Sequence, residues 1–203
     1  MPDSSSLTIS LSSNLDDYFR EPVTQAIRGR EVEASSATQS YLVQLLIDFA
    51  KPSEATTSAL SQPVTFLLRD AMSSTGPERF KRLQSLGDGV LYGMGFFSST
   101  IKGVDEDYVV QVGASAYGHA ARMLRVGQGK AEGPDVLDEL ARKFIRFVEV
   151  LRYVADWVAA KAARDEASLV KLYERWQRTG SAVLKAELGQ RGLLPVPNPG
   201  GVH

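Results

Sequence analysis

The sequence contains no cysteine and only two histidines, His119 and His203. The absence of cysteine excludes disulfides, thiolate nucleophiles and cysteine-ligated zinc or iron–sulfur centres. Two histidines cannot build a histidine-rich metal cage, and the lack of a Glu-x-x-His pair excludes a ferritin-like di-iron site. The residue inventory therefore predicts no catalytic residues, no metal and no resident cofactor.

Other functional motifs are also missing from the chain. It has neither the G-x-S-x-G turn of a serine nucleophile nor the G-x-x-x-x-G-K-[ST] phosphate loop. The formal net charge is −1, so no global field attracts nucleic acid or an anionic membrane. No apolar run is long enough to span a membrane, and the first residues do not resemble a signal peptide. We expect a cytoplasmic protein without nucleic-acid or membrane partners.

Apolar residues at helical spacing dominate the rest of the chain. They recur at steps of three and four through most segments, and predicted helix covers roughly two-thirds of the residues, against about one-third in an average protein. We predict an all-α, single-domain helical bundle of about seven or eight helices over residues 14–192. A disordered segment at 1–13 precedes it, and an extended proline-rich tail at 193–203 follows.

Several helix boundaries can be predicted from local residue types. Asn14 is suited to cap the first helix, and Ser36-Ala37-Thr38-Gln39 resembles a capping box for the second. One long helix is expected from residue 133 to about 163, because its apolar residues keep a three-and-four spacing throughout. Gly180 either ends a helix or is tolerated within one, and the sequence leaves both possibilities open.

Residues 86–121 hold the most unusual feature, four glycines at 87, 89, 93 and 95. An apolar stripe of Leu83, Leu86, Val90 and Met94 passes through them, which predicts a helix. Four helical glycines cost roughly 4 kcal/mol relative to alanine, so something must offset them. A close approach to the small residues of the following helix is one explanation. The other explanation is that the glycines leave space for a flat or bulky ligand. Of the two, we expect close packing between the helices.

The ligand alternative gives five candidate binding residues near this helix pair: Asp88, Tyr92, Gly93, Tyr117 and His119. Each also has a structural explanation. Asp88 could be a solvated or ion-paired acid. The tyrosines could supply apolar area with one polar end, and His119 could be a hydrogen-bonded boundary residue.

The segment Leu86-Gly87-Asp88-Gly89, followed by Gly93 and Gly95, resembles the glycine-rich distal helix of haem oxygenases. That family is all-α and of similar length, and the resemblance implies a haem lying over these glycines. Haem oxygenases take their haem ligand from a histidine in an early helix. This chain departs from that pattern, because no histidine precedes His119.

Elimination of these functional classes leaves protein–protein interaction as the expected function. The predicted long helix carries a second apolar stripe of Val150, Tyr153 and Trp157, which one chain alone need not cover. We expect a non-enzymatic cytoplasmic bundle, acting as a homodimer or through another protein partner. The alternative is a small-molecule or haem-binding bundle with its site at the glycine-rich helix pair.

Overall fold

The computed structural model describes residues 4–51, 62–97, 105–128 and 135–193, without the side chains of 4–13 and 126–128. These residues form helices and turns and contain no strand, which confirms the all-α prediction. The nine described helices are α1 (Ser4–Gly29), α2 (Ser36–Ala50), α3 (Val64–Ser73), α4 (Gly76–Phe96), α5 (Glu106–Gln128), α6 (Val136–Arg142), α7 (Phe144–Ala162), α8 (Glu166–Thr179) and α9 (Ala182–Gln190).

The chain divides into two compact units, Met1–Leu151 and Arg152–His203, with the division inside α7. In the first unit, α4 packs against both α3 and α5, α5 packs against α6, and α1 packs against α2. Its largest fully buried side chains come from five of these helices and from α7, and include Tyr117, Phe147, Leu42, Leu46, Leu83, Leu91, Leu140 and Val23.

The start of α2 is fixed by a cap that spans two helices. Ser35, one residue before the predicted box, is the N-cap, and its Oγ accepts a hydrogen bond from the Thr38 backbone N–H at 3.1 Å. The buried Thr38 hydroxyl donates to Glu139 of α6 at 2.7 Å, and Glu139 also accepts from the Ser35 N–H. The predicted boundary is wrong by one residue, because the distant Glu139 takes part in the cap.

The prediction of one long helix over 133–163 is wrong. Helix α6 ends at Arg142, and Lys143 (φ −111°, ψ 23°) leaves helical geometry before α7 begins. Two cationic side chains at this interruption donate hydrogen bonds to backbone carbonyls of the segment that follows α1. The Lys143 ammonium donates to the Glu33 carbonyl and the Arg146 guanidinium to the Arg30 carbonyl, both at 2.6 Å.

The second unit contains the C-terminal part of α7 with α8 and α9. Helix α8 starts with a reciprocal cap between Asp165 and Ser168 and ends at Gly180, whose φ of 63° is left-handed. Gly180 therefore breaks the helix, which resolves the alternative left open above. The core of this unit is small, formed by Ala160, Ala163, Leu172, Trp176, Leu184 and Leu188.

The chain ends were predicted to be irregular. Helix α1 begins at Ser4, upstream of the Asn14 cap that we predicted. The backbone of residues 4–13 belongs to this helix, whereas residues 1–3 and 194–203 lie outside the described part. Disorder of residues 1–3 and the extended tail therefore stay predictions. Among the described helices, none is long and apolar enough to cross a membrane.

Candidate functional site

One face of α4 carries the chemistry of interest. Gln84, Asp88, Tyr92 and Phe96 follow one another at intervals of four, which places them in a row along one side of the helix. Helix α2 packs along this row, which we call the α4 row. Its first half is polar and its second half is aromatic.

In the polar half, two tyrosines converge on one carboxylate oxygen. The hydroxyls of Tyr41 from α2 and Tyr117 from α5 both donate to Asp88 Oδ1, each at 2.6 Å. The Gln84 side-chain amide donates to the Tyr41 hydroxyl at 3.0 Å. Asp88 forms no ion pair with any described lysine or arginine, so hydrogen bonds alone satisfy it. Asp88 is therefore hydrogen-bonded to two tyrosines, and the ion-paired explanation offered for it above does not apply.

Burial dominates the electrostatics of Asp88. It raises the pKa of this carboxyl to about 6, because the charged form loses hydration. The two tyrosine hydroxyls lower the pKa, but not enough to reverse the effect, and the charge of Asp48 raises it further. Burial and the Asp88 charge raise the pKa of both Tyr41 and Tyr117. Both tyrosines are therefore donors at neutral pH, and the carboxyl titrates close to neutrality.

Side chains of the same chain occupy the space beside the glycines near this cluster. A Cβ added at Gly87 would lie 2.6 Å from the ring of Tyr117, one at Gly95 2.5 Å from Leu151 Cβ, and one at Gly113 2.5 Å from the ring of Phe144. A Cβ atom essentially never lies within 3.0 Å of another non-bonded heavy atom, so something would have to shift at each position. Side chains therefore occupy the space that a flat ligand would need at these three positions. The expected partner is wrong, because the Tyr117 ring and Leu151 of α7, not the small residues of the following helix, lie against Gly87 and Gly95.

The aromatic half of the α4 row ends at the protein surface. Tyr92 stacks on Phe49 of α2 and on Phe96, with ring centroids 4.2 and 4.6 Å apart, and meets Phe97 edge-on at 5.7 Å. The Phe97 side chain is 44% exposed. We call Phe49, Tyr92, Phe96 and Phe97 the aromatic cluster.

His119 makes a different contact. Its Nδ1 accepts a hydrogen bond from the Arg122 guanidinium at 2.8 Å. Burial lowers the pKa of His119, and the charges of Arg122 and Arg79 lower it further. No contact between His119 and Asp88 is present among the described residues.

Of the five candidate residues, the structure joins Asp88 directly to Tyr117 and places Tyr92 farther along the same helix face. Gly93 is half-buried, and its carbonyl accepts the Phe97 N–H that ends α4. Sequence reasoning missed Tyr41 as a partner of Asp88. Nothing local in the sequence relates residues that are 47 positions apart.

The chain matches no protein-family model, no curated protein and no solved structure. The described residues contain no group of three or more histidines, aspartates or glutamates that could hold a metal ion. The site thus consists of a protonatable carboxyl fixed by two phenols and an adjoining set of partly exposed rings.

Proposed function

We propose that this protein is a non-enzymatic interaction module that self-associates through the aromatic cluster. The exposed ring of Phe97, which lies edge-on against the stacked rings of the aromatic cluster, is the observation that carries the proposal. Aromatic side chains are enriched at protein interfaces, because each buries a large area while losing little conformational freedom.

The polar half of the α4 row supports this role by holding the cluster in place. Tyr92 lies one helical turn after Asp88, whose hydrogen bonds tie α4 to both α2 and α5. Phe49 and Tyr92, which stack across α2 and α4, are thereby held in a fixed register. A preorganised aromatic surface loses less side-chain freedom on binding than a mobile one.

A second copy of the chain is the partner that the surface favours. Flat rings are self-complementary, and a two-fold dimer brings the same patch from each subunit together. The net charge of −1 produces little repulsion between copies. The haem-binding alternative has no comparable support, because side chains already occupy the space beside Gly87 and Gly95.

We expect Phe97→Ser to weaken self-association by about 30-fold or more, the effect of truncating an interface hot spot by roughly 2 kcal/mol. The measurement is sedimentation equilibrium of both proteins up to high micromolar concentration. Phe66→Ser is the matched control, because Phe66 is 48% exposed and lies on α3 outside the cluster.

Circular dichroism should be the same for both variants, since both side chains are exposed. A wild-type chain that sediments as a monomer throughout the range would refute the proposal. Equal weakening by the two substitutions would also refute it, because the aromatic cluster would then have no special role.

A further inference from the structure

A cavity of about 400 Å³ lies within the second unit, between the C-terminal part of α7 and one side of α8. Binding sites for small molecules commonly have volumes of about 300–1,000 Å³, so this cavity is large enough for one. All the residues that line it belong to the second unit, and none belongs to the aromatic cluster.

Small side chains at the end of α7 leave this space open. Ala162 and Ala163 follow Ala159 by three and four positions, which places the three on one helix face, and all of them line the cavity. An alanine side chain ends at Cβ, so these positions cannot fill the space up to α8. Leu172 of α8, which is 3% exposed, also lines the cavity. One wall is therefore apolar.

The α8 side of the cavity carries cations. Lys171, Arg175 and Arg178 follow one another by four and three positions along one face of α8, and all three line the cavity. A buried acid holds Arg175 in place, because the Arg175 Nε donates to Asp156 Oδ1 at 2.7 Å and Asp156 is only 7% exposed. The guanidinium is planar, so this contact also fixes the plane of its two terminal amino groups.

The terminal amino groups of Arg175 are free to bind a ligand. Neither makes a hydrogen bond in the described part of the chain. Arg79 Nε is the one buried side-chain nitrogen or oxygen left without a partner there, so the terminal nitrogens of Arg175 are accessible to solvent. Lys171 and Arg178 likewise form no ion pair among the described residues. The cavity therefore offers hydrogen-bond donors that no carboxylate of the described chain uses.

The charges around the cavity favour an anion with a single negative charge. Glu174 also lines the cavity, and Asp156 pairs with Arg175. Against the three cations, these two acids leave one positive charge in excess. Asp165 interacts with Lys171 as well, but it caps α8 and does not line the cavity. A carboxylate matches this excess better than a phosphate dianion does.

We propose that the cavity binds a small carboxylic acid that carries a short apolar chain. The two terminal amino groups of Arg175 donate parallel hydrogen bonds to the two carboxylate oxygens, a geometry that a planar guanidinium provides. Lys171 and Arg178 add positive charge beside them. The apolar chain lies along the alanines and Leu172, where its burial removes it from water. The site is independent of the self-association proposed above, because one copy of the chain contains the whole cavity.

Nuclear magnetic resonance of the alanine methyl groups tests the proposal directly. Sodium hexanoate is titrated into the full chain at constant pH and ionic strength, with sodium chloride as the reference salt. We expect the methyl resonances of Ala159 and Ala163 to shift and to saturate at millimolar hexanoate or below. The methyl group of Ala186, which is exposed on α9 and outside the cavity, should move no more than in chloride. A response without saturation, or equal shifts at Ala186, would overturn the proposal.

Three related compounds separate the head group from the chain. Acetate has the carboxylate without the chain, and hexanol has the chain without the carboxylate. We expect each to bind at least about tenfold more weakly than hexanoate, because each lacks one of the two sets of contacts. Hexyl phosphate should bind no more tightly than hexanoate. Acetate or hexanol binding as tightly as hexanoate, or hexyl phosphate binding more tightly, would contradict the assigned ligand class.

Filling the cavity locates the site. Ala162→Leu should weaken hexanoate binding at least about tenfold, because the added methyl groups occupy the space of the apolar chain. Ala167→Leu is the matched control, since Ala167 is also exposed but lies on α8 outside the cavity. Both variants should fold as the wild type does, which circular dichroism checks. Equal binding by the two variants would place the ligand elsewhere.

The role of Arg175 is tested by removing both charges of its ion pair. Arg175→Gln alone destabilises this unit, because it leaves Asp156 buried without a charged partner. The double variant Asp156→Asn with Arg175→Gln should fold, and should bind hexanoate at least about tenfold more weakly. Lys185→Gln removes an exposed cation of α9 outside the cavity and should bind as the wild type does. Unchanged binding in the folded double variant would show that Arg175 does not hold the carboxylate.

Discussion

Replacing Gly95 with alanine is expected to destabilise the chain by about 1–3 kcal/mol, the usual effect of overpacking a core. The new methyl group would lie 2.5 Å from Leu151 Cβ and 3.4 Å from the Leu151 carbonyl carbon. A Cβ atom is attached directly to the backbone, so rotation of the Leu151 side chain cannot relieve the contact. Helix α4 and the α7 backbone would have to separate.

Whether a Gly→Ala substitution raises or lowers the free energy of unfolding shows whether packing or helix propensity dominates at that position. Alanine stabilises a helix interior by about 1 kcal/mol relative to glycine, so a glycine with free space should respond in the opposite direction. Gly118→Ala is such a control, because the nearest atom to its Cβ would be Ala141 Cβ at 3.8 Å, an ordinary contact. We expect it to stabilise the chain by about 0.5–1 kcal/mol.

Urea unfolding of the wild type and both variants, followed by circular dichroism, measures the two effects. A neutral or stabilising Gly95→Ala would mean that α4 has space beside it, and would reopen the ligand interpretation of the glycines. If both substitutions destabilise equally, then the glycines are required for a reason other than close packing.

The second large effect concerns pH. Asp88→Asn should match the wild type in stability at pH 3 and below, and exceed it by about 3 kcal/mol above pH 7. The asparagine still accepts hydrogen bonds from Tyr41 and Tyr117, but it never becomes charged. The difference between the two proteins therefore isolates the ionisation of Asp88.

The raised pKa of Asp88 determines the direction of this pH dependence. Folding favours the protonated carboxyl, so the native chain holds this proton up to about pH 6, whereas the unfolded chain releases it near the ordinary value of 3.8. The stabilising contribution of the protonated form is complete below pH 3.8 and is lost as the pH rises through 6. The wild type therefore loses stability relative to Asp88→Asn between these two values.

Urea unfolding of both proteins at one-unit intervals from pH 3 to pH 8 tests this expectation. In a Tyr41→Phe background, the stability difference between the chains with and without Asp88→Asn should continue to grow up to a higher pH. The pKa of Asp88 should rise further there, because one hydrogen-bond donor that stabilises the carboxylate is gone. A difference that does not vary with pH would show that Asp88 is charged throughout the range, and would refute the role of burial.

Local pattern predicted the glycine-rich helix and a close contact beside it, but not the residues that make the contact. The apolar stripe through Val90 and Met94 required a helix, and small residues in a helix need close neighbours to offset their cost. The sequence pattern could not show which atoms occupy the space beside each glycine. Gly113 is filled jointly by Val90 from α4 and Phe144 from α7, a combination set by tertiary packing.

The errors at Lys143 and Ser35 have a common cause. The apolar residues Leu140, Phe144 and Phe147 are all buried on both sides of the break, so hydrophobic periodicity gives no sign of it. Long-range contacts decide both positions: the Glu33 carbonyl binds the Lys143 ammonium, and Glu139 contacts the Ser35 cap. Asp88 and Tyr41 were likewise joined only by folding.

The contact between Gly87 and the ring of Tyr117 also constrains how the sequence can vary. A larger residue at 87 needs the volume that the ring occupies, and a smaller residue at 117 leaves a void that glycine cannot fill. In a library that randomises both positions, the surviving clones should exchange size between them, with a small residue at one position accompanying a large residue at the other. Each position considered alone would then seem more tolerant than it is, because its permitted residues depend on its partner.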